Sequence, residues 1–167
     1  ATSAAEEIVA VGSRGDEALV VALRADGSES WRREFGSPQR DFLSSVAVAS
    51  DGTLYVSGYT AGNLAAGRAL VGRYSFVAQM ERGGNLRWVR QYETPEVDPG
   101  DTRVTLSSSG DVYVLGSRFD SPSEPTQGGT DVYVRRYSRA GQLEWTRHLA
   151  TTRDDSASSI LVASDGA

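Results

Sequence analysis

Gly141-Gln142-Leu143-Glu144-Trp145-Thr146-Arg147 sets a glycine four residues before a tryptophan and an arginine two residues after it. The arrangement recurs at Gly84, Trp88 and Arg90, and again at Gly27, Trp31 and Arg33, so the tryptophans stand 57 residues apart, twice over. A fixed long period marks a chain built from copies of one structural unit. The glycines close the turns Ala25-Asp26-Gly27, Arg82-Gly83-Gly84 and Arg139-Ala140-Gly141, and Asp41, Asp98 and Asp155 each follow a tryptophan by ten residues. A second turn recurs as Asp51-Gly52, Ser109-Gly110 and Asp165-Gly166. Thr53-Leu54-Tyr55-Val56-Ser57-Gly58 matches Asp111-Val112-Tyr113-Val114-Leu115-Gly116, and Glu7-Ile8-Val9-Ala10-Val11-Gly12 is a further copy near the N-terminus.

Each unit reads as four short strands. In the middle copy they are Phe76–Met80, Leu86–Tyr92, Arg103–Leu106 and Val112–Leu115, separated by Gly-, Asp-, Ser- and Pro-rich stretches. Such stretches are the punctuation of hairpins. Apolar residues nowhere recur at helical spacing over ten or more positions, so no long helix is expected. Four antiparallel strands in each repeat describe the blade of a β-propeller. The expected fold class is therefore all-β, with about three four-stranded antiparallel blades on a 57-residue repeat. The whole of 1–167 reads as a single propeller arc. Residues 8–58 form the first repeat with an N-terminal closing strand, 59–116 the second, and 117–167 the third without its last strand.

The string Val46-Ala47-Val48-Ala49-Ser50-Asp51-Gly52-Thr53-Leu54-Tyr55-Val56-Ser57-Gly58-Tyr59-Thr60 resembles the bacterial seven-bladed β-propeller (SBBP) repeat family. So does Asp131-Val132-Tyr133-Val134, followed by Gly141-Gln142-Leu143-Glu144-Trp145 and then Asp155. The match covers nearly the whole chain. Glycine-then-tryptophan turns also resemble, more weakly, the docking motif of quinoprotein propellers. The SBBP resemblance implies a propeller fold and an extracytoplasmic bacterial setting: secreted, cell-surface or periplasmic. It implies no particular activity, because propellers host many functions.

Propellers close with about 4–8 blades, and three copies make an incomplete ring. The sequence runs out at Ser164-Asp165-Gly166-Ala167, where the third copy should enter its Tyr-Val-x-Gly strand, and it opens with an unmatched copy of that strand, Ile8–Val11. Two completions are open at this point. Two copies of the chain would make a six-bladed ring with two shared blades, because a head-to-tail contact that closes generates a ring. Alternatively, the residues are a piece of a larger extracytoplasmic propeller protein, a receptor or enzyme whose functional residues lie in other blades.

Composition excludes several classes. The net charge is −5, with 39% hydrophobic and 23% charged residues. The basic residues, all arginine, are scattered among acids rather than forming a stripe. Nucleic acid is not an expected partner. No apolar run approaches the roughly 20 residues of a membrane-spanning helix, and Ala1-Thr2-Ser3-Ala4-Ala5 is not a charged-then-apolar leader. There is no cysteine, hence no disulfide framework or thiol chemistry.

On a strand, Trp31, Trp88 and Trp145 share a face with Arg33, Arg90 and Arg147, two residues on. A tryptophan wedged between neighbouring blades, its indole N–H on backbone and the arginine over it, accounts for the repetition better than a ligand platform does. The pairs Arg33/Asp41, Arg90/Asp98 and Arg147/Asp155 read as repeated structural ion pairs. The acidic loops at Asp51, Asp98, Asp101, Asp154 and Asp155 match no calcium-binding pattern. His148, the single histidine, has Glu34 and Gln91 as its counterparts and stands outside the repeated pattern, as a surface strand residue. Catalytic motifs, cofactor sites and metal-ligand clusters are not found, and no enzyme is expected.

What differs between copies is the stretch joining one unit's last strand to the next unit's first. Ala61–Arg73 and Arg118–Thr130 carry extra residues, and insertions of this kind gather on one face, often the binding face. Phe119, Asp120, Glu124 and Gln127 are the candidate ligand contacts. The expected function is a non-enzymatic binding or structural module that touches protein or glycan through these insertions.

Overall fold

Residues 7–64, 73–93, 102–119 and 129–163 are described by the computed structural model, and every regular element among them is a β-strand. In chain order these are β1 (Glu7–Arg14), β2 (Glu17–Arg24), β3 (Glu29–Phe35), β4 (Asp41–Val48), β5 (Leu54–Thr60) and β6 (Tyr74–Met80). They continue with β7 (Leu86–Glu93), β8 (Arg103–Leu106), β9 (Val112–Phe119), β10 (Thr130–Tyr137) and β11 (Leu143–Leu149). Three antiparallel sheets result: β1-β2-β3, then β4-β5-β6-β7, then β8-β9-β10-β11. These are propeller blades in an open arc, and none closes into a barrel.

The sheets are phased half a unit from the sequence repeats. The second sheet runs from Asp41 to Glu93 and so straddles the 58/59 boundary. Ile8–Val11, read from the sequence as a closing strand, lies inside β1 and pairs with β2, Ile8 opposite Leu23 and Val11 opposite Val20. The first sheet therefore has the counterparts of β5, β6 and β7. Among the described residues, nothing stands where β4 and β8 stand in the other two.

Each hairpin turn uses the same device. The amides of Gly27, Gly84 and Gly141 donate to the carbonyls of Arg24, Glu81 and Ser138 at 2.8–2.9 Å. Their φ values of 83°, 87° and 77° lie in the left-handed region. Only glycine takes that region without steric cost, and a left-handed residue after a type I turn produces the bulge seen beside each turn. Gly58 is required for another reason: a Cβ there would meet the Phe42 carbonyl oxygen at 1.9 Å, where β4 bulges between Leu43 and Ser45.

The core lies between the sheets in two layers. Ala18, Val20, Phe35, Leu43, Leu54, Val56, Phe76, Ala78 and Met80 fill the space between the first and second sheets. Tyr55, Val77, Val104, Val112, Val114 and Tyr137 fill that between the second and third. Alternation explains the split. Phe76 and Ala78 face one way and Val77, between them, faces the other. Every residue of β6 is buried because its sheet is covered on both faces.

Candidate functional site

The repeated tryptophan and arginine grip the next sheet's turn. Trp88 donates its indole N–H to the Arg139 carbonyl at 3.3 Å, which also accepts from Gln79 Nε2. Arg90 Nε donates to the Gly141 carbonyl at 2.6 Å, and its Nη2 reaches the Ala140 carbonyl at 3.5 Å. The guanidinium lies 5.4 Å from the Trp88 ring centre. All three carbonyls of the turn Arg139-Ala140-Gly141 are thus taken by the second sheet. A Cβ on Gly141 would stand 2.7 Å from the Trp88 ring, so the contact needs glycine for room as well as for φ. Gly84 sits likewise against Trp31 and Arg33: its Cβ would meet them at 3.1 and 2.9 Å.

This contact has two unfilled halves. Trp145 is half-buried against Tyr113, ring centres 6.0 Å apart, with Arg147 stacked at 5.8 Å. Among the described residues no turn is held by them, and Arg147 Nη1 reaches the Thr146 carbonyl at 3.4 Å. At the opposite end, Gly27 is exposed and a Cβ there would meet nothing within 4 Å, whereas Gly84 and Gly141 are buried. One end carries the grip and the other carries the turn to be gripped.

The apolar faces repeat this asymmetry. Strand pairing sets Gly58 opposite Phe76 and Gly12 opposite Leu19, so Ile8, Ala10, Leu19, Val21 and Leu23 are the counterparts of Leu54, Val56, Phe76, Ala78 and Met80. The second-sheet set is at most 2% exposed. In the first sheet none of the five is buried, and Ile8 is 53% exposed.

Two of the repeated aspartates, Asp41 and Asp155, do not pair with Arg33 and Arg147. Among the described residues no ion pair joins Arg33 to Asp41 or Arg147 to Asp155, and Asp98 lies outside them. This corrects the ion-pair expectation for Arg33/Asp41 and Arg147/Asp155. Arg90 is used by the neighbouring turn, and Asp41 and Asp155 by their own loops. Asp41, fully buried, accepts from the Ser37 amide at 2.6 Å and hydroxyl at 3.1 Å. Asp155 accepts from the Thr151 amide and hydroxyl at the same two distances. Their own amides donate back to the preceding sheet, Asp41 to the Asp16 carbonyl at 2.7 Å and Asp155 to the Thr130 carbonyl at 2.6 Å.

Between the second and third sheets lies a polar cluster that no period announces. Arg135, 9% exposed, stacks 4.0 Å from the Tyr92 ring centre and 5.0 Å from that of Tyr133. Burial, reinforced by Tyr133 and Tyr137 and opposed by Arg135, holds the Tyr92 hydroxyl well above the ordinary tyrosine range. Arg136, the next residue, points to the other face and pairs with Asp111 at 2.8 Å and Glu144 at 3.1 Å. Arg139 bridges to Asp51 of the second sheet. The recurrence of Arg82 and Arg139 two residues before the repeated glycines is a sequence signal for this last contact.

His148 is exposed on β11. Phe119 ends β9, paired opposite Thr130. Asp120, Glu124 and Gln127 lie outside the described residues. Among the described residues no three His, Cys, Asp or Glu side chains converge on a metal-sized site, and no helix is long and apolar enough to cross a membrane.

No protein-family model and no curated protein matches the chain. Among solved structures it is similar to a protein of unknown function from Bacteroides caccae, with a TM-score of 0.49 and 17% identity. The match covers 95% of this chain and 49% of that one, so the chain spans about half of its length.

Proposed function

We propose that the chain is a non-enzymatic propeller module of the SBBP type, exported, that completes its ring with other copies of itself. It would contact protein or glycan through the insertions at 61–73 and 118–130. One observation carries the reading: among the described residues Trp145 and Arg147 hold no turn, while a Cβ on Gly27 would meet nothing within 4 Å. Trp88 with Gly141 is the joined form of that same pair. A surface whose two halves differ makes a head-to-tail contact, which generates rings when it closes. In the joined copies the repeated Trp and Arg are spent on packing, which supports a structural role over a catalytic one.

Sedimentation across a range of protein concentrations tests this. A mass that is a multiple of 17.8 kDa is expected. A folded monomer at every concentration would overturn the reading and favour the other completion, in which further blades of one longer polypeptide cover the two ends.

A further inference from the structure

We propose that Asp155–Val162 of one copy adds to β1 of a second copy as the missing fourth strand of that copy's first sheet. The inference rests on the head-to-tail reading and names the strand that joins the copies.

The donor is a repeat of β4. Asp155-Ser156-Ala157-Ser158-Ser159-Ile160-Leu161-Val162 follows Asp41-Phe42-Leu43-Ser44-Ser45-Val46-Ala47-Val48, with the aspartate, both serines and an apolar end in register. It is anchored as β4 is. Asp155 and Asp41 bind the hydroxyl residue four positions earlier at matching distances, and each amide returns to the sheet just left. After Asp41 the chain enters the next sheet as its inner strand. After Asp155 the described residues 156–163 pair with no strand, and Leu161 is 87% exposed.

The acceptor is the edge of β1. In the second and third sheets the same edge is covered by β4 and β8. An uncovered edge is a row of unpaired amides and carbonyls open to another strand. β1 carries exposed Ile8 and Ala10 and borders a groove of about 290 Å³ lined by Val9, Trp31 and Val48. Among the described residues of one chain the donor and this edge do not pair, and a second copy is the occupant proposed for it.

The register follows from β4 on β5. Val46 pairs with Val56, Ala47 with Tyr55 and Val48 with Leu54. Carried over through Gly58 and Gly12, these place Ile160 opposite Ala10, Leu161 opposite Val9 and Val162 opposite Ile8. Leu161 then stands at the groove beside Val9. Ser158 and Ser159 take the places of Ser44 and Ser45, which bind Thr102 and the Val104 amide on the neighbouring inner strand at 2.7–3.1 Å.

The chain has no cysteine, so an introduced pair reports without background. A protein carrying Val9→Cys and Leu161→Cys should form an intermolecular disulfide on mild oxidation, mapped to 9–161 by peptide mass spectrometry. Val9→Cys with Ile160→Cys should not, because a one-residue slip places the side chain on the opposite face. Leu161→Asp, at a position 87% exposed in the chain, should leave thermal unfolding of the monomer unchanged. It should raise the dissociation constant of assembly roughly 10- to 100-fold. Assembly that persists unchanged in Leu161→Asp, with no 9–161 link, would overturn strand donation and leave face-to-face stacking standing. A protein that stays monomeric and unlinked would overturn both.

Discussion

Trp88 and Trp145 occupy the same place in successive sheets, carry the same arginine two residues on, and do different work. Trp88 and Arg90 hold three backbone carbonyls of the third sheet. Trp145 stacks on Tyr113 and Arg147 on Trp145, and among the described residues neither holds a turn. The difference comes from position in the arc, since the local sequence is repeated. Identical residues are fold determinants where a neighbouring sheet is present and an unused binding surface where it is not.

Alanine substitutions should separate the two roles most widely. Trp88→Ala should destabilise the fold by about 2–4 kcal/mol, because a large aromatic is lost from between two sheets and the Arg139 carbonyl loses a donor. Trp145→Ala should cost the monomer less, about 0.5–1.5 kcal/mol for the lost Tyr113 contact, read by urea unfolding at protein concentrations where no assembly forms. Equal losses at the two sites would break the comparison.

The glycines should follow the same order with smaller effects. Gly141→Ala pays the left-handed backbone cost of about 1–2 kcal/mol and also drives a Cβ into Trp88. Gly27→Ala bears the backbone cost alone. Urea midpoints should therefore fall further for Gly141→Ala, and equal midpoints would count against the grip.

Titration probes the joined interface. Tyr92, Tyr133 and Tyr137 all have hydroxyls raised above the ordinary range by burial. A raised tyrosine keeps its stabilising contribution below the unfolded pKa of about 10 and loses it as pH climbs from there toward the folded value. Melting temperature should fall above about pH 10, and Tyr92→Phe should shallow that fall. Persistence of the full alkaline slope in Tyr92→Phe would remove Tyr92 from the cause.

The smallest effect belongs to acid. The Asp51 carboxyl is held below its ordinary value by its bonds to Thr53 and by Arg139, and that of Asp111 by Ser109 and then Arg136. A lowered carboxylate contributes above its unfolded pKa of about 4 and loses that contribution as pH falls through the folded value. Asp51→Asn should slightly flatten the acid limb of a stability–pH curve. An unchanged limb would show that solvent screens the bridge completely.

Much of the fold could be read from residues alone. Glycine turns, apolar alternation and the 57-residue period located the strands of the middle copy to within a few residues. The sheet boundaries could not be read the same way, because a period looks identical whichever strand begins the unit. Asp41 opens a sheet because its loop returns to Asp16, a contact that only the folded chain displays. The partner of Arg90 was hidden for a related reason. Alternation puts it on the tryptophan's face, but the carbonyls it finds are 50 and 51 residues away across a sheet boundary. The stacking of Arg135 on Tyr92 and Tyr133 gave no periodic signal, because the arginine has no counterpart in the other copies. Of the candidate ligand contacts, Phe119 is placed at the end of a strand, and the other three lie outside the described residues.

Mixing two variants tests the head-to-tail claim most directly. Trp145→Ala removes the grip, and Gly27→Asn blocks the turn with a residue that tolerates the left-handed region. Each variant alone lacks one half of every tryptophan–turn contact and should sediment as a 17.8 kDa monomer at concentrations where the wild type assembles. Mixed in equal amounts they retain one intact contact, the Gly27→Asn chain supplying Trp145 and the Trp145→Ala chain supplying Gly27. Expected is a one-to-one dimer of twice the chain mass that grows no further. A mixture that stays monomeric, beside a wild-type protein that assembles, would contradict it.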